Sequence, residues 1–212
     1  MTLSQSLFVI ALLIAASAFF SMAEISLAAA RRLRLRQMAD EGDARAERVL
    51  RMQEQPGDYF TVVQVGQNAV AILGGIVGEG ALSPHFTALF GLWLAAPTAQ
   101  TLGFLASFAV ITSLFILLAD LFPKRLGMAE PERLALRLAR PMAFFMTLLH
   151  PVVWLYSRGA DAMFRLLGLS SLRDERITSD DILAMMEAGA RAGVLAAREQ
   201  QVITNVFELD TR

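Results

Sequence analysis

The apolar positions of this chain fall into long unbroken runs separated by short clusters of charge. Residues 2–23, 59–78 and 80–119 contain no Asp, Glu, Lys or Arg. Crossing a hydrocarbon core of about 30 Å takes about 20 helical residues, so each run is long enough to span it. The first, LSQSLFVIALLIAASAFFSMAEISLAAA over 3–30, contains neither Pro nor Gly and reads as one helix. RRLRLR follows at 31–36; its arginines mark the cytoplasmic side and put the N-terminus outside. A secretory signal would carry basic residues ahead of its apolar run, the reverse of this order. Residues 37–55 predict one polar amphipathic helix stopped by Pro56 and Gly57. A second span is expected over about 59–82. Its glycines at 66, 74, 75, 78 and 80 permit close helix packing, or a break where the chain lines a polar cavity. Residues 83–98 hold no Lys or Arg, as an outside loop should. A third span over about 99–122 ends in DLFPKRLG, where Lys124 and Arg125 again mark the inside.

The later chain behaves differently. PMAFFMTLLHPVVWLYS at 141–157 is uncharged but contains Pro141, His150 and Pro151. Arginines flank both ends, at 133, 137 and 140 and at 158 and 165. A span carries its basic residues mainly on one side, so a kinked belt at the cytoplasmic interface is preferred over a fourth span. From Ile177 the chain turns polar and acidic. Thr178 or Ser179 can cap a helix whose first turn holds Asp180 and Asp181. The expectation there is a cytoplasmic helical module, with Gly193 between two helices.

Composition agrees. The chain is 55% hydrophobic and 18% charged, with a mean hydropathy of +0.50, more apolar than a typical soluble domain of 212 residues. Cysteine is absent, which excludes disulfides and thiolate metal sites. The net charge of −1 offers no support for nucleic-acid binding. Eighteen arginines accompany a single lysine.

Polar groups at bilayer depth are costly and tend to face a bundle interior or a cavity. Three sets stand out. Ser17 and Ser21 share one face of the first span, with Glu24 three residues later on the same side. Gln64, Gln67 and Asn68 accompany Gly66 on the second, and Asp120 precedes Pro123 on the third. Each has a bland reading. The serines can bond their own i−4 carbonyls, the amides can hold helices together, Glu24 can pair with a nearby Arg, and Asp120 can be solvated at the interface. Their common chemistry favours a site: hydroxyl, amide carbonyl, carboxylate and freed backbone carbonyl are hard oxygen donors suited to Mg²⁺ or Ca²⁺. Pro123 leaves the carbonyl near residue 119 without its helical donor. His85 and His150 belong to different regions, which speaks against a zinc site. No nucleophile–base pair or phosphate loop points to an enzyme.

FFSMAEISLAAARRLRLR, VQVGQNAVAILGG, ADLFPKRLG and TSDDILAMMEAGARAGVLAAREQQVITNVFELD occur in that order. Block by block they resemble the transmembrane domain of the CorC/CNNM magnesium transporter family. The resemblance implies an all-α membrane protein of three transmembrane helices, a juxtamembrane belt helix and a cytoplasmic helical bundle. Residues 1–168 would form the membrane domain and 169–212 the bundle. It implies a homodimer in the lipid of a bacterial inner membrane, with ATP bound only by CBS domains beyond this chain. It implies Mg²⁺ transport, in the efflux direction and with Na⁺ as a candidate coupling ion, through a dehydrated site between the helices. Carried over, the ligands are Ser21, Asn68 and Asp120, with Ser17 a weaker addition. Two positions depart from the family pattern: Asp120 stands where Glu is usual, and Ala71 where a second Asn is frequent. Gln67 is the residue that would compensate. The alternative is a non-transporting Mg²⁺ sensor or scaffold, which would bind the ion without moving it.

Overall fold

A computed structural model describes residues 2–167, and these are helical almost throughout. Residues up to Arg158 form one compact unit; a second begins at Gly159. The acidic module expected over 169–212 lies outside the described residues.

The first helix, α1 (Leu3–Ala29), starts at a capping box in which Thr2 and Gln5 satisfy each other's backbone N–H groups. It ends one residue before the predicted limit. The Gln53 side-chain amide donates to the carbonyls of Leu27 and Ala30, both at 3.0 Å, and so closes its C-terminal end. The single amphipathic helix expected over 37–55 is instead a hairpin of α2 (Arg32–Asp40) and α3 (Ala44–Glu54). Gly42 turns the chain at φ 93°, and the Asp43 carboxylate caps α3 by accepting from the Arg45 N–H. Pro56 starts a helix rather than stopping one, because the first helical position needs no N–H.

That helix, α4 (Pro56–Phe90), runs unbroken for 35 residues. It shows no interruption at its glycines and continues through Pro84, into what the sequence predicts as a loop. A short turn leads to α5 (Ala96–Leu114), a π-helical segment (Phe115–Leu121) and α6 (Phe122–Ala129). The last helix, α7 (Pro131–Leu166), passes through both Pro141 and Pro151. By length and composition four stretches can cross a membrane: Leu3–Ala29, Pro56–Phe90, Ala96–Ala129 and Pro131–Leu166.

The core lies at the arginine-rich end. Phe20, Ala23 and Leu27 of α1 meet Leu35, Ala46, Val49 and Met52 of the hairpin and Tyr59, Val62 and Val63 of α4. From α7 come Ala135, Leu136, Ala139, Met142 and Val153. Phe145 of α7 stacks edge-on to Phe20, with ring centroids 5.1 Å apart. The Tyr59 hydroxyl donates to the Ala23 carbonyl at 2.9 Å, which fixes the rotation of α4 against α1. Elsewhere large apolar residues such as Phe8, Ile76, Trp93, Phe108 and Phe144 are exposed, as lipid-facing positions are.

Candidate cation site

The site follows from two local departures from α-helix geometry and one absent side chain. Pro123 has no N–H to give to the Ala119 carbonyl. The chain before it widens to π-helical pitch, and the Phe122 N–H reaches back to Leu117. The free Ala119 carbonyl is taken by the fully buried Ser21 hydroxyl, which donates to it at 2.8 Å. The same hydroxyl lies 3.2 Å from Asp120 Oδ1. From α4, the Gln67 amide donates to Ser21 Oγ at 2.6 Å. Gln67 comes this close because its neighbour is Gly66, where a Cβ would overlap the Phe20 ring. On the other flank a Cβ at Gly127 would strike Ile25, so α6 also rests directly on α1.

One turn nearer the arginine-rich end the cluster becomes ionic. Lys124 Nζ sits 2.7 Å from Asp120 Oδ1 and 3.6 Å from Glu24 Oε2. Glu24 Oε2 is shielded from solvent and has no hydrogen-bond donor, so this ammonium is its nearest compensation. Two carboxylates, one ammonium, a hydroxyl, an amide and a carbonyl therefore converge from α1, α4 and the π–α6 segment. The cluster carries one net negative charge. Such a lining has the chemistry to hold a desolvated cation.

Of the residues expected from sequence, Ser21 and Asp120 meet here. Ser17 is buried one turn further along α1. Asn68 is exposed and lies elsewhere: with Thr61, Gln64, Val65, Ala69, Ile72 and Tyr156 it lines a separate cavity of about 480 Å³. One residue along a helix is a rotation of about 100°, so Gln67 and Asn68 cannot face the same neighbour. Lys124 is the participant that sequence reasoning missed. It stands at i+4 from Asp120 on a helical stretch, a spacing that pairs opposite charges. Glu24, for which pairing with a nearby arginine is one of two readings of the sequence, has Lys124 as its ionic partner. Among the described residues no group of three or more His, Cys, Asp or Glu is arranged to hold a metal ion.

The family comparison is decisive: the cyclin M transmembrane N-terminal domain matches residues 8–199 of the 212. The chain belongs to the CNNM family. Among its relatives, the polyamine export protein of Salmonella typhimurium is 55% identical over 208 residues, 98% of this chain and 46% of that protein. The polyamine export protein of Escherichia coli K12 is 54% identical over the same shares. That of Haemophilus influenzae is 45% identical over all of this chain and 49% of its own length. The chain thus spans about half the length of these relatives. It is a membrane protein of a transport family.

Proposed function

We propose that this domain moves a small cation outward across the membrane, and that the cargo is an alkylammonium ion of the polyamine class. The observation that carries the reading is Lys124: a primary ammonium on an alkyl chain already rests between Asp120 and Glu24. A polyamine ends in the same group. Such a cation needs one or two carboxylates plus neutral acceptors, which is what Asp120, Glu24, Ala119 and Ser21 offer. The names of the relatives, polyamine export proteins, support the choice of cargo.

In this reading the arginine-rich end faces the cytoplasm by the positive-inside rule. Three helices span, and α7 lies as a belt at that interface, with Trp154 and Tyr156 at headgroup depth. The cargo enters beside Glu24 and exchanges water for Asp120 and the Ala119 carbonyl. Ser21 turns its lone pairs to it, and Gln67 rotates its amide to present oxygen. Ser17 extends the path by one turn. A second copy of the chain covers the polar face of α4 at Thr61, Gln64 and Asn68.

A second reading keeps Mg²⁺ as cargo. It is favoured by the hard oxygens of Ala119 and Asp120, each in contact with the Ser21 hydroxyl. It needs a tight oxygen cage at about 2.0–2.1 Å, and hence Asn68 brought round by rotation of α4.

Proteoliposomes separate these readings. Labelled 1,4-diaminobutane and a Mg²⁺-sensitive dye would be followed in parallel vesicles. We expect diamine flux above protein-free vesicles, lost in Asp120→Asn. Mg²⁺ flux without diamine flux would move the site to the second reading. Binding with no flux of either would make the domain a sensor or scaffold.

A further inference from the structure

The cation cluster is already occupied, and by part of the protein itself. Lys124 Nζ lies within ion-pair distance of both acidic side chains. The side chains of Lys124 and Glu24 are about one-third exposed and that of Asp120 is 45% exposed. The ammonium is therefore held at the mouth of the cluster, free to swing on a flexible four-carbon stem.

The residue type is informative. The chain uses arginine at every other basic position, eighteen times, and lysine once, at this place. A guanidinium is planar and presents a fixed fork of donors, whereas an ammonium is a compact point charge with three rotatable donors. Only the ammonium matches the end of an alkyl amine in size and donor geometry. Apart from Glu24 Oε2, the rest of the site is satisfied in the same arrangement. Ser21 spends its proton on Ala119, Gln67 spends an N–H on Ser21, and Lys124 neutralises one of the two carboxylates.

We propose that Lys124 is a tethered surrogate for the cargo, which plugs the site when it is empty and must be displaced for a cation to bind. This rests on the cation-transport reading but holds for either cargo. The plug offsets one of the two carboxylate charges at membrane depth, where an unpaired charge is costly. It also sets a threshold, since a cation must outcompete an ammonium of very high effective concentration. A dication meets that demand better than a monocation, because it faces both carboxylates once Lys124 has left. The apparent affinity is the intrinsic affinity reduced by the fraction of time the site stands open.

The test is calorimetric titration of the purified full chain in nanodiscs with 1,4-diaminobutane and, separately, with Mg²⁺. If the plug is seated about four-fifths of the time, Lys124→Met should bind the cargo about fivefold more tightly than wild type. Lys124→Arg, which keeps a tethered positive charge but not the ammonium's compact donor geometry, should bind with an affinity between those of wild type and Lys124→Met. Loss of a merely structural ion pair would weaken binding or leave it unmoved, so tightening separates the two roles. Unchanged or weaker cargo binding in Lys124→Met, with wild type binding normally, overturns the plug and leaves the transport reading intact. Tightening seen with Mg²⁺ alone supports the plug and overturns the polyamine assignment. Binding of neither cation to either protein overturns both.

Discussion

The two faces of α4 make opposite use of similar residues. One face carries Tyr59, Val62, Val63, Gly66 and Gln67 and is pressed against α1. The other carries Thr61, Gln64 and Asn68 and opens onto a cavity. Both hold carboxamides at comparable depth, so residue type does not distinguish them. Their surroundings do. On the packed face an amide donates to a buried hydroxyl that in turn meets a freed carbonyl and a carboxylate, and it becomes part of the candidate site. On the open face the same group has no such company. A polar side chain in a membrane helix thus acquires a role from the helix phase, which distant packing sets.

The largest effect is expected where the packed face meets charge. Asp120→Asn removes the closer carboxylate while keeping its shape and should weaken cation binding about 10–100-fold, measured by calorimetry. Next comes the contact that sets the phase. Gly66→Val drives a side chain into the Phe20 ring and should cost about 1–3 kcal/mol, read as a lower unfolding midpoint in detergent. Ser21→Ala strands the Ala119 carbonyl and the Gln67 amide and should cost about 1 kcal/mol in the same assay. The amides then sharpen the contrast. Gln67→Leu should weaken cation binding about threefold, whereas Asn68→Ala should leave it within about twofold of wild type. An effect of Asn68→Ala larger than that of Gln67→Leu would reverse the assignment of the two faces.

The smallest effect lies outside both faces, at the hairpin turn. The Asp43 carboxyl is held down to about 2 by its hydrogen bonds to the Arg45 side chain and backbone. Its folded value lies below the ordinary 3.8, so its contribution is present above that pH and fades as pH falls toward 2. Asp43→Ala should therefore lower the melting temperature slightly and by a constant amount between about pH 5 and 9. Added salt should shrink the difference, because the pair is exposed.

Much of this arrangement was legible from residue order. The apolar runs gave α1 to within a residue of its observed end. Pro123 announced the free carbonyl at 119, because its ring nitrogen carries no hydrogen whatever the fold. What failed to show was relational. Whether Gln67 or Asn68 faces Ser21 depends on Gly66 meeting Phe20 and on the Tyr59 hydroxyl reaching Ala23, contacts 46 and 36 residues apart in sequence. The path of α7 through two prolines depends likewise on partners, since its buried residues pack into a core built by α1, α4 and the hairpin. The hairpin itself was signalled by Gly42 followed by the capping Asp43, and the polar periodicity around them masked it.

One measurement reaches the central claim directly. Lys124 is the only lysine, so reductive methylation with ¹³C labels it alone apart from the amino terminus. Titrating 1,4-diaminobutane into the labelled chain in nanodiscs should move the Lys124 methyl signal in a saturable way, with the midpoint found by calorimetry, and Asp120→Asn should abolish the response. Saturable binding of the diamine with the Lys124 signal unmoved would place the cation elsewhere and contradict the account.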